Sequence, residues 1–208
     1  MARRHRALVE AQDQLAGVDP VLDRLVDEFG PVRMRASVHG RERFPVLARA
    51  IAYQQLNGNA AATIWGRVID ACGGGVSPGA LLAAGPDRLR ACGLSGSKTK
   101  SMLDLASRVE DGRLRLGRLG HLDDEEVVER LTSVWGIGRW TAQMFLISTL
   151  GRLDVWPTGD YGVRAGYGTA WGHAACPNEG EMDALGEPFT GGRTLVAWYC
   201  WRVTDTWI

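Results

Sequence analysis

The chain has no net charge, its 24 Lys and Arg matching its 24 Asp and Glu. That counts mildly against nucleic-acid binding, since such proteins often carry a basic excess, and leaves only a locally positive face as a means of attracting a polyanion. Basic residues do recur near Arg33–Arg43 and Lys98–Lys100, while acids gather at Asp123–Glu126 and Glu179–Asp183. No apolar run approaches membrane-spanning length, so no bilayer crossing is expected. The basic start MARRHRALVEAQDQ has no apolar segment behind it, which argues against a secretory signal. Cysteine is sparse and scattered at positions 72, 92, 176 and 200, with no CxxC pair. A zinc ribbon or a clustered iron–sulfur site is therefore not expected, and the thiols read as buried groups in a reducing cytoplasm. Internal repeats and low-complexity linkers are also missing.

What remains is an ordinary folded composition, 45% hydrophobic and 23% charged over 208 residues, enough for one sizeable core or two small subdomains. The apolar spacing is helical almost throughout. It predicts helices over Val21–Phe29, closed by Gly30-Pro31, and over Phe44–Asp70, broken at Asn57-Gly58-Asn59. Two short helical pieces follow within 78–92, then Lys98–Val109 with Ser97 placed to cap it. Asp123–Ser133 starts with a capping box made by Asp123 and Glu126. Only Val32–Val38 and Leu114–Leu116 alternate enough to suggest strands. The expected architecture is mainly α: a basic segment over 1–17, then one domain over 18–208. Within that domain, a helical subdomain occupies about 45–150, and the ends, about 18–44 plus 151–208, form a second.

The informative stretch is Leu131-Thr-Ser-Val-Trp-Gly-Ile-Gly-Arg-Trp-Thr-Ala-Gln-Met-Phe-Leu-Ile-Ser-Thr-Leu150. A capped helix ends near Ser133, Gly136-Ile137-Gly138 turns the chain, and an apolar helix follows. Glycine at 136 and 138 permits positive φ and close backbone approach, and Ile137 can tuck between the two helices. The start of the second helix offers backbone N–H groups to an anion, and a DNA phosphate is the natural ligand. A plain helix–helix corner is the alternative. Beyond the hairpin comes Gly151-Arg-Leu-Asp-Val-Trp-Pro-Thr-Gly-Asp160-Tyr-Gly-Val-Arg164, with Asp160 placed to cap a helix starting at Tyr161.

Together these residues resemble the helix-hairpin-helix DNA glycosylase superfamily. The string GIGRWTAQMFLISTLGRLDVWPTGDYGVR is similar to the compact bacterial 3-methyladenine DNA glycosylase II type. Further agreement lies in Ile51–Ala60, Gly93–Lys98 with Leu103–Ala106, and Leu185–Pro188 leading to Ala197–Arg202, so the likeness spans roughly 18–204. It implies two helical subdomains with the active site in the cleft between them, and Asp160 as the catalytic acid. Capping and catalysis are compatible: the helix dipole favours a negative charge there, and a carboxylate beside the sugar stabilises the positive charge that builds as the glycosidic bond breaks. It can also orient or deprotonate the attacking water. Lyase-type members carry a lysine two positions after the second hairpin glycine; here that residue is Trp140, so base excision without strand cleavage is expected.

The resemblance also places Trp140 in the base pocket, where an electron-rich ring can stack on a flipped, cationic base. Trp201 is its second aromatic wall, with Trp198 the other choice, and Met144 and Tyr53 complete the pocket. Gln55 or Leu56 fills the stack left by the flipped base. Gly136, Ile137, Gly138, Thr141 and Lys98 are expected to touch DNA, with a solvated loop the alternative for Lys98 and Lys100. No cofactor is required and no iron–sulfur cluster is expected; a structural Na+ or K+ at the hairpin would use the carbonyls of Thr132, Val134 and Ile137. The implied function is excision of alkylated purines from double-stranded DNA by a cytoplasmic, nucleoid-associated bacterial monomer. The alternatives are a non-catalytic hairpin DNA-binding module, or a glycosylase for other damaged or mismatched bases. Trp135, Thr158, Asn57-Gly-Asn and residues 189–192 depart from the family pattern, as does the absence of Trp-Arg-Pro before Arg193.

Overall fold

A computed structural model describes residues 2–34, 38–56 and 58–205. Its order is α1 (Ala2–Leu15), α2 (Pro20–Phe29), α3 (Arg43–Tyr53), α4 (Gly58–Ala71), α5 (Pro78–Ala91), α6 (Gly96–Glu110), α7 (Asp124–Thr132), α8 (Arg139–Phe145), α9 (Tyr161–Trp171), α10 (Glu179–Gly186) and α11 (Arg193–Val203). A π-helical turn over Leu146–Leu150 follows α8 directly. No described helix is long and apolar enough to cross a membrane.

The chain divides into two compact units, one of residues 1–36 with 146–208 and one of residues 37–145. In the first, α11 packs on α9 and α2. Gly166 on α9 allows this: a Cβ there would collide with the Cys200 carbonyl on α11. Tyr199 donates its hydroxyl to the Gly30 carbonyl at 3.0 Å, and Arg24 reaches the Ala170 carbonyl at 2.9 Å. The basic start is the helix α1, which buries Ala11 and Leu15 in this unit.

In the second unit, α6 packs on α5 and α3, α3 on α4, and α7 on α8. Leu47, Ile51, Leu81, Leu89, Met102, Leu105 and Leu131 form its fully buried core. Each such side chain contributes roughly 1.5–3 kcal/mol by leaving water. Gly85, at φ 72°, kinks α5 just ahead of Pro86, which accounts for the two helical pieces expected over 78–92.

Three expectations need correction. No described residue is in a strand: Val32–Met34 and Leu114–Arg115 are irregular, residues 35–37 lie outside the described set, and Leu116 opens a 3-10 turn. Among the described residues the alternation of 32–38 has no second strand to pair with. Val32 is instead buried singly, its carbonyl accepting from Gln12 Nε2 at 3.0 Å. The cap of α6 is Ser95, whose Oγ accepts from Lys98 N, so the helix starts a turn earlier than Ser97 implied. Gly136 has φ 82°, but Gly138 does not adopt positive φ. The capping box of Asp123 and Glu126 is present as expected.

Candidate active site

Asp160 ends a loop that α11 holds from beneath. Thr194 is the hub: its Oγ1 accepts from Val155 N at 2.9 Å and donates to the Arg152 carbonyl at 3.0 Å, while its N–H donates to the Leu153 carbonyl. Trp156 Nε1 donates to the Met182 carbonyl at 2.6 Å. Asp154 pairs with Arg193 through two bonds of 2.7 and 2.8 Å. Burial alone would push the Asp154 carboxyl up, but the Arg193 guanidinium and backbone donors hold it below its ordinary value.

The Asp160 side chain is the N-cap of α9, as the sequence implied, and only 9% exposed. Its Oδ1 accepts from Val163 N at 2.9 Å and from Trp201 Nε1 at 3.0 Å. Two donors from different helices converge on one oxygen, which fixes the carboxylate plane. Trp201, expected as a wall for a stacked base, is 4% exposed, and its indole N–H is committed to Asp160. It acts on the acid. Beside the carboxylate, burial pushes the Cys200 thiol far up, making it an inert core group. Tyr161, the next residue after the acid, is 70% exposed, the most open of the large hydrophobic side chains among the described residues. Nothing in the periodicity of α9 marked it.

The hairpin turn of the second unit is held by its backbone. Val134 N and Ile137 N donate to the Leu131 and Val134 carbonyls, each at 3.1 Å. Trp135 N donates to Asp104 Oδ2 at 2.8 Å, and Arg108 holds the same carboxylate. Gln54 Nε2 donates to the Gly136 carbonyl at 3.3 Å and to Thr141 Oγ1 at 3.4 Å. Ile137 is buried, as expected of a residue between two helices. A Cβ at Gly136 would overlap Ser101 Oγ on α6, whereas one at Gly138 would meet nothing. Gly136 is thus required by packing and by backbone conformation together.

Trp140 is 39% exposed on the first turn of α8, and Met144 is half-buried one turn on. Tyr53 is half-buried, with the Arg49 guanidinium 4.3 Å above its ring. Gln55 is exposed and sits at φ 55°, a left-handed backbone that a non-glycine residue rarely adopts. Leu56 beside it is also exposed; Asn57 lies outside the described residues. Thr141 is buried, so its hydroxyl serves Gln54 and its side chain is not offered to a ligand.

Lys98 is likewise turned inward, its Nζ donating to the Ala52 carbonyl at 2.8 Å, and burial lowers its pKa. It closes the last turn of α3 and does not reach for an external phosphate through that nitrogen. Asp104, Gln54 and the Asp154–Arg193 pair carried no sequence signal of their roles. Their partners lie 31, 82 and 39 positions away.

The model of the HhH-GPD superfamily of base excision DNA repair proteins matches residues 48–189. A DNA-3-methyladenine glycosylase of Schizosaccharomyces pombe is 33% identical over 201 residues, covering 95% of this chain and 88% of that protein. The solved structure of a 3-methyladenine DNA glycosylase from the same yeast, in complex with abasic DNA, is similar with a TM-score of 0.83 at 33% identity, over 94% of this chain and 97% of that one. A DNA-3-methyladenine glycosidase of Bacillus halodurans gives a TM-score of 0.85 at 30% identity, over 94% and 89%.

Proposed function

The chain belongs to the HhH-GPD superfamily of base excision DNA repair proteins, and we propose that it excises alkylated purines such as 3-methyladenine from double-stranded DNA, with Asp160 as its catalytic carboxylate. The observation that carries this reading is the convergence of Val163 N–H and the Trp201 indole N–H on Asp160 Oδ1. A carboxylate held in one orientation costs no reorganisation when positive charge develops on the deoxyribose C1′ and O4′. The alkylated base leaves as a neutral species, taking the glycosidic electron pair, and water adds to C1′, its proton passing to the carboxylate. An already cationic base needs little acid assistance, so one carboxylate suffices.

Trp140 supports the same substrate class. Its half-open ring can stack on an electron-poor base taken out of the duplex. Because Trp140 stands where lyase-type members carry lysine, the reaction is hydrolysis without a Schiff base. Gln55 and Leu56 are the candidates for the residue that fills the vacated stack. The positive φ at Gln55 is the kind of stored strain found at functional turns. The hairpin turn would seat a strand phosphate on the first-turn N–H groups of α8.

A Na+ or K+ ion fits the same turn. Its donors would be the main-chain carbonyls of Thr132, Val134 and Ile137, hard neutral oxygens that suit an alkali ion. The Thr132 hydroxyl is already directed to the Val128 carbonyl at 2.8 Å, leaving the main-chain oxygen as that residue's donor. Such an ion would stiffen the turn and favour an adjacent phosphate. The setting is cytoplasmic, at the nucleoid, and the protein acts as a monomer.

The test is base release from methylated duplex DNA. Asp160→Asn should retain DNA binding and lose at least about 100-fold in release rate. If the unsubstituted protein releases no base, the non-catalytic hairpin-module reading replaces this one. Comparing 3-methyladenine, 7-methylguanine, hypoxanthine and 8-oxoguanine then sets the substrate range.

A further inference from the structure

In this neutral chain some of the cations are held by carboxylates. Arg108, Arg113, Arg139 and Arg193 each hold one at 2.6–2.9 Å. Among the described residues Arg90 and Lys100 form no ion pair, yet both line one hollow of about 480 Å³ beside the start of α6. The Arg90 guanidinium lies across Gly96, its Nη1 2.9 Å from where a Cβ would stand. A fifteen-residue helix begins there, adding its positive end.

Thr99, buried and also lining the hollow, has an Oγ1 with no hydrogen-bond partner. An unsatisfied buried hydroxyl costs about 1–3 kcal/mol, so a ligand able to accept from it is favoured. The one acid in the lining, Asp104, is already neutralised by Arg108 and by the Trp135 N–H.

Side chains of α6 link the lining of the hollow to the hairpin. Lys100 Nζ stands 4.2 Å above the Trp135 ring, Asp104 holds the Trp135 backbone, and Ser101 packs against Gly136. Trp135 itself is 43% exposed although its backbone is fixed. An open, rigid indole topped by a cation is suited to the apolar face of a deoxyribose flanked by phosphate.

We propose that Arg90, Lys100 and Thr99 form a second phosphate seat for the DNA strand, next to the one on the hairpin, with Trp135 packing against the adjoining sugar. The proposal rests on the glycosylase reading, and it adds a backbone contact to it. Such contacts position a duplex without reading sequence and are felt as salt dependence of affinity. The seat would give a chain of zero net charge one place where two cations that form no ion pair face a polyanion together.

The experiment measures affinity for an undamaged duplex between about 50 and 200 mM salt. Arg90→Gln and Lys100→Gln, which keep much of each side-chain stem, should each flatten the log–log salt slope by about 0.9, and the double variant by nearly twice that. Trp135→Ala should weaken binding several-fold with the slope unaltered. Arg118→Gln, an equal loss of charge on the Leu116–His121 turn of the same unit, should leave both unchanged.

A normal slope in the double variant, with its melting temperature retained, overturns the proposal. So does an equal flattening in Arg118→Gln, which would report general charge only. Release of 3-methyladenine by the unsubstituted protein is followed in parallel. Release with a normal slope in the double variant sinks the phosphate seat alone, whereas neither release nor DNA binding sinks the glycosylase reading with it.

Discussion

The loop that carries Asp160 and the turn that carries Gly136 are both short, irregular and rich in polar backbone, yet they are stabilised in opposite senses. Around Asp160 the structure closes on a side chain: donors from α9 and α11 meet on one carboxylate oxygen, and Val155, Trp156, Val163 and Trp201 around it are buried. Around Gly136 side chains from elsewhere close on the backbone. Asp104 takes the Trp135 N–H, Gln54 donates to the Gly136 carbonyl, and Trp135 and Trp140 are left facing out. The first arrangement suits a group that must keep one orientation while charge develops next to it. The second suits a surface that meets a ligand through main-chain atoms and exposed rings. On the proposed function, the difference assigns the buried hydrogen bonds to the chemistry and the exposed turn to the grip on DNA.

The strongest way to break this contrast is at Gly166. Alanine in a helix interior is intrinsically better than glycine by about 1 kcal/mol. Here its Cβ would run into the Cys200 carbonyl, a main-chain atom that cannot rotate away. Overpacking of that kind costs about 3 kcal/mol or more, so the steric effect wins. With the intrinsic gain subtracted, Gly166→Ala should lower the melting temperature by about 4–8 °C. It should also depress base release more than DNA binding, because the helix it displaces carries Trp201 and the helix it sits on is capped by Asp160. A variant as stable as the parent would show that α9 and α11 are not tightly seated.

Next in size is Trp201→Phe, which keeps most of the buried ring and removes one N–H. The loss of a hydrogen bond to a charged acceptor is worth about 1.5–3 kcal/mol, or roughly 10- to 100-fold in release rate if the bond orients the acid. Affinity for methylated duplex and the melting temperature should change little. If binding and stability fall while the single-turnover release rate holds, Trp201 is only a core residue and the contrast between the two regions loses its first half.

These same residues show what the sequence could and could not disclose. The cap at Asp160, the capping box of α7 and the glycine turn are local patterns, complete within a few positions, and all are present in the structure. The resemblance to the superfamily supplied the importance of Asp160, which a cap alone does not. What escaped detection depends on partners far along the chain. Lys98 looks like a loop cation until Ala52, 46 positions earlier, is seen to accept from it. Trp201 looks like a stacking platform until its Nε1 is found on Asp160, 41 positions away. Val32–Val38 has the alternation of a strand, but a strand needs an edge to pair with, and packing in this unit is helix on helix.

The smallest effect is expected at Gly136, and it tests the second half of the contrast. Alanine there meets two obstacles of different kinds. A φ of 82° costs an L-residue roughly 1–2 kcal/mol whatever surrounds it. The Cβ also meets Ser101 Oγ, the mobile end of a small side chain that can turn away or be trimmed. Gly136→Ala should therefore destabilise by about 2 kcal/mol, most of it from the backbone, and adding Ser101→Ala should relieve only the smaller steric share. DNA affinity should drop with the single change and stay low in the double variant, because on the proposed function the N–H groups displaced with the turn are the ones that meet the phosphate. Full recovery of affinity on trimming Ser101 would mean that the turn contacts DNA through side chains, and that the hairpin grips its ligand as the acid loop holds its carboxylate.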